Sequence, residues 1–101
     1  MSTLVSLQNN HQICIQGSVT FDTVAVVQKN VMTLLRNNSS LTDFQLNLKD
    51  VSVVNSAALG LLVELKKWVV AQHKTIRFLN LPDRLLSLAQ VCGVATLLEI
   101  N

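Results

Sequence analysis

Glycine is scarce in this 101-residue chain. Gly17, Gly60 and Gly93 stand far apart, so they form neither a G-x-G-x-x-G turn nor a Walker A phosphate loop. Aromatic residues are also few: one Trp, three Phe and no Tyr. The eight Lys and Arg residues are spread along the chain, so a platform of interleaved basic and aromatic side chains for nucleic acid is not expected. Cys14 and Cys92 are too far apart for a C-x-x-C pair; free, buried thiols in a reducing compartment are the expectation. His11 and His73 are isolated, exposed near a turn or a helix end, and no metal or cofactor is expected. The carboxylates Asp22, Asp43, Asp50, Glu64, Asp83 and Glu99 fall in different elements, which gives no acid–base pair. No enzyme is read from this chain.

Charge is the other shortage. Only 14% of the residues are charged, against about 25% in an ordinary domain. A small domain leaves much of its surface exposed, so this deficit points to a face covered by a partner, and to weak self-association without one. The net charge of +2 carries little information. The uncharged runs at 51–63 and 85–98 are too short to span a bilayer, and the first residues, without a basic n-region or a cleavable apolar segment, are not expected to act as a leader. A cytoplasmic protein without membrane insertion is expected. Half of the residues are apolar, enough for the core of one domain over 1–101.

Hydrophobic periodicity predicts strands at 3–8 and 11–17, joined by an Asn9-Asn10 turn. Gly17-Ser18 breaks the second strand. A helix follows over 21–36, with Phe21, Val24, Val27, Gln28, Val31, Leu34 and Leu35 on one stripe, Thr20 as N-cap and Asp22 in the first turn. A strand at 43–48, a helix at 56–72 and a strand at 75–79 come next. Pro82 and Asp83 open a last helix that ends at Gly93, and 96–100 reads as a final strand. The order β-β-α-β-α-β-α-β predicts an α/β domain with a mixed sheet.

The stretch from Val51 to Leu65 is the most informative. A β-branched strand end stops at Asn55-Ser56, and either residue can cap the helix that follows. At 100° per residue, Ala58, Leu61, Leu62, Leu65, Trp68 and Val69 form the core stripe. Ser56, Gly60, Glu64, Lys67 and Ala71 lie opposite, flanked by Leu59, Val63 and Val70. A glycine inside a helix costs roughly 1 kcal/mol relative to alanine. Gly60 is therefore explained either by close approach of another surface or by tight packing within the domain.

The turn Asn55-Ser56-Ala57-Ala58-Leu59-Gly60, together with the order of elements, resembles the STAS family. Gly17 followed by Phe21-Asp22-Thr23-Val24, and Asn80-Leu81-Pro82 leading into Leu85 and Leu88-Ala89, extend the resemblance over nearly the whole chain. The bacterial MlaB-type subunits of the Mla phospholipid transporter are the most similar subgroup. The resemblance implies a STAS-like single domain and a non-catalytic subunit without cofactor. Its expected partner is the cytosolic ATPase of an ABC transporter, which would itself hold ATP. The implied location is peripheral at a Gram-negative inner membrane. Ser56 falls on the hydroxyl residue at the ATPase contact, and the implied docking surface is Asn55, Ser56, Ala57, Leu59, Gly60 and Val63, with Lys67 at its rim. The alternative within the family is an anti-sigma factor antagonist that binds a serine-kinase-type regulator. In that group the phosphorylated serine is the second residue after an Asp. That position is Ala57 here, with Asn55 in place of the Asp and Ala58 in place of a Gly.

Overall fold

A computed structural model describes residues 3–8 and 11–99. The elements are β1 (Leu4–Gln8), β2 (Gln12–Val19), α1 (Val24–Asn37), β3 (Asp43–Val54), α2 (Ser56–Ala71), β4 (Thr75–Leu79) and α3 (Asp83–Val91). The strands form one sheet in the order β1-β2-β3-β4. β1 is antiparallel to β2, and β2, β3 and β4 are parallel. The predicted Asn9-Asn10 turn lies outside the described residues.

The connections β2-α1-β3 and β3-α2-β4 step across the sheet in the same direction. Crossovers of one hand then place α1 and α2 on the same face. The burial pattern agrees. Ile13 and Ile15 of β2, Phe44, Leu46 and Leu48 of β3, and Ile76 and Phe78 of β4 are buried beneath the helices. Alternate residues make an open polar face, on which the Gln12 amide donates to Gln45 Oε1 at 3.1 Å. Cys14 lies on this face, half-buried rather than buried as expected, and Cys92 is exposed beyond α3. Burial, with the Asp50 charge adding to it, pushes the Cys14 thiol up from its ordinary value, away from the reactive thiolate.

Four boundaries differ from expectation. β2 continues through Gly17, whose φ of 107° accommodates a shift in register instead of ending the strand. α1 begins at Val24, so Thr20, Phe21 and Asp22 precede it. β3 runs on to Val54, joining two stretches that the exposed Lys49-Asp50 pair separates in sequence. Residues 95–99 form turns, not a strand, and Leu98 is buried there. The two strand overruns, in β2 and β3, occur where a glycine or a polar pair interrupts the apolar pattern without interrupting the hydrogen bonding.

The ends of α2 and α3 share one device. Lys74 N–H donates to Val69 C=O at 2.8 Å and His73 N–H to Val70 C=O at 3.0 Å; Val94 and Gly93 repeat this with Ala89 and Gln90. Both are Schellman caps, with His73 (φ 60°) and Gly93 (φ 73°) at the left-handed position.

Candidate partner-docking face

β3 delivers its last residue, Val54, directly into the first turn of α2. Asn55 is extended (φ −139°, ψ −168°), and its Oδ1 accepts the Ala57 N–H at 2.9 Å. Asn55 is therefore the N-cap, and Ser56 is the first helical residue, not the cap. Asn55→Ala is expected to lower stability by about 1 kcal/mol, whereas Ser56→Ala should change it by less than half of that. Chemical denaturation of the two variants checks this.

The exposed side of α2 carries Ser56, Gly60, Glu64 and Lys67, with Val63 half-buried beside them. Ala57 and Leu59, expected at the contact, are only 9% and 7% exposed. The reason is the position of α2 as the central helix: it packs against both α1 and α3, so only a narrow stripe reaches solvent. Lys67 is on the same stripe, but eleven residues along the helix, about 16 Å from Ser56. Its ammonium lies 3.7 Å from Glu64, an exposed pair that water and salt screen. Ser56, Gly60 and Val63 are thus brought together beside the capping Asn55, while Ala57 and Leu59 support them from below and Lys67 stands apart.

Gly60 has no packing reason among the described residues. A Cβ built there meets nothing within 4 Å beyond its own stretch of helix backbone. Of the two explanations for this glycine, tight packing inside the domain is excluded. Gly60→Ala should raise the stability of the isolated chain by about 1 kcal/mol, seen as a higher denaturation midpoint at unchanged slope. Among the described residues, no group of three His, Cys, Asp or Glu could hold a metal ion, and no helix is long and apolar enough to cross a membrane.

The site is thus a flat stripe of small side chains at the carboxyl edge of a three-strand parallel unit, with the positive end of a helix dipole behind it. The model of the STAS_2 family (Mlab, STAS domain) matches residues 3–99. The chain belongs to this family. The STAS domain is also 28% identical to the anti-sigma-B factor antagonist of Bacillus subtilis (strain 168) over 94 residues, which cover 93% of this chain and 84% of that protein. Two solved structures share its fold. The anti-sigma factor antagonist SpoIIAA in its unphosphorylated form matches with a TM-score of 0.72 at 15% identity, over 94% of this chain and 84% of that one. An anti-sigma factor antagonist from Mycobacterium paratuberculosis matches with a TM-score of 0.72 at 13% identity, over 98% and 83%. The STAS domain here shares their mixed sheet and three-helix layer.

Proposed function

We propose that this STAS domain is a non-catalytic subunit that docks the cytosolic ATPase of an Mla-type phospholipid-transport ABC complex and supports its assembly or activity. The observation that carries the reading is the unfilled space over Gly60 next to the exposed Ser56. A helix that forgoes a side chain there, without any internal neighbour to require it, is suited to the close approach of a second protein. The MlaB-type family match over 3–99 supports the choice of partner. The low charge of the chain fits a surface that is partly covered in use.

A second reading is an anti-sigma factor antagonist, favoured by the Bacillus subtilis relative. Phosphorylation separates the two. Ala57 has no hydroxyl, and its N–H is held by the Asn55 cap. Intact-mass analysis of endogenous protein is expected to show no substantial phosphorylated fraction at 55–60. A stoichiometric phosphate on Ser56 would favour the signalling reading. Affinity purification from the native host tests the partner directly. Recovery of a transporter ATPase with its permease supports the proposal; recovery of a serine kinase and its sigma factor instead would overturn it.

A further inference from the structure

Phe21 is 70% exposed, whereas Phe44 and Phe78 are buried. Its exposure is constructed. Thr23 Oγ1 accepts the Thr20 N–H at 3.0 Å and donates to the Ser18 carbonyl at 2.9 Å. The Thr20 carbonyl accepts the N–H groups of Thr23 and Val24 at 3.1 and 2.8 Å. These bonds close a turn over residues 20–23 and delay the start of α1 until Val24. Had the helix begun at Phe21, this ring would have continued the stripe of the half-buried Val24 and the buried Val27 and Val31. The turn instead holds it in water.

The segment that carries this ring also leaves the sheet beside the docking stripe. β2 and β3 are parallel neighbours in register, with Ser18 opposite Val53 and Val19 opposite Val54. Adjacent strands are about 4.8 Å apart, so the segments Thr20-Phe21 and Asn55-Ser56 leave the same edge of the sheet side by side. Val53, exposed on β3, adds apolar surface near this edge. Aromatic side chains are enriched at interface cores, where a few anchors carry most of the binding energy. The other exposed large apolar residues are scattered singly: Leu4 on β1, Val26 on α1, Val70 near the end of α2, Val91 on α3 and Leu97 in the turns after it, and none of them is aromatic.

Resting on the docking proposed above, we propose that Phe21 is the aromatic anchor of the interface, seated in an apolar pocket of the ATPase alongside the Ser56–Gly60 contact. The ATPase then reads two segments of the STAS domain, the turn after β2 and the start of α2.

The experiment measures Kd by calorimetry, using the full chain and the separately purified ATPase of the Mla-type transporter from the same genome. Phe21→Ser should weaken binding at least tenfold, Phe21→Trp should stay within threefold of wild type, and Val91→Ser should have no effect. Because Phe21 is mostly in water, melting of all three should remain near wild type. An independent readout uses Phe21→Cys: added ATPase should slow alkylation at position 21 at least tenfold, located by peptide mass spectrometry. Phe21→Ser binding within twofold of wild type, with Ser56→Arg still abolishing it, would overturn the anchor and leave the docking face standing. Undiminished binding in both variants would overturn the docking face and the anchor with it.

Discussion

Ser56→Arg and Gly60→Arg are each expected to abolish co-purification with the transporter ATPase while circular dichroism and thermal melting stay near wild type. Ser56 is exposed at the first position of α2, and a Cβ built on Gly60 meets nothing within 4 Å beyond its own stretch of helix backbone. A long side chain at either position therefore extends into solvent in the isolated domain and perturbs nothing. In a complex it must be accommodated between two surfaces. Its guanidinium would be buried without a partner carboxylate, at a cost of several kcal/mol, and its bulk would hold the surfaces apart. Each 1.4 kcal/mol is a factor of ten in affinity, so a loss of about a thousandfold is the expected scale. In a reconstituted transporter, ATP turnover should fall to the level measured without this subunit. Ser56→Ala, which removes one hydroxyl, should cost on the order of 1 kcal/mol of binding. If both Arg variants bound and stimulated normally with the fold intact, the docking face would be elsewhere.

Much of this architecture was legible because its periodicities are clean. Ile13 and Ile15, Phe44, Leu46 and Leu48, and Ile76 and Phe78 alternate as half-buried strands should, and all are buried. The core stripe of α2 was read correctly at Ala58, Leu61, Leu62, Leu65 and Val69; Trp68 packs against that core with part of its ring outside. What could not be read was how many neighbours each element has. Helical periodicity distinguishes an inside from an outside, but not one flanking helix from two, and α2 packs against both α1 and α3. The start of α1 was misplaced for a similar reason. Phe21 continues the apolar period, and only the hydrogen bonds of Thr23 to Ser18 and Thr20 exclude it from the helix. Asn55 and Ser56 were equally good caps on chemistry; the extended backbone at Asn55 decides between them.

The C-terminal segment is where the sequence pattern misled most, and it sets up the second large effect. Thr96-Leu97-Leu98-Glu99 contains the apolar residues of a strand, yet they form turns, residue 100 lies outside the described residues, and among the described residues β4 has no strand partner on its outer side. Among the described residues of this segment Leu98 is the one fully buried side chain, with Ala95 partly buried against the same core. Leu98 is 1% exposed while its neighbour Leu97 is 53% exposed. Leu98 N–H donates to the Val94 carbonyl at 3.0 Å, and Glu99 reaches Lys66 of α2 at 3.6 Å. This ion pair is exposed on the Glu99 side and contributes little by comparison. Replacing Leu98 by alanine removes most of a fully buried side chain and leaves a cavity in the shared core, a change that costs about 2–5 kcal/mol. In a domain of this size each kcal/mol corresponds to roughly 4–8 °C, so Leu98→Ala should lower Tm by at least about 8 °C. Leu97→Ala should shift it by no more than about 3 °C, since it removes surface already in water. Equal effects from the two substitutions would mean that the segment is not anchored through Leu98. A Leu98→Ala variant that melts like wild type would show that residues 95–99 are not part of the cooperative unit at all.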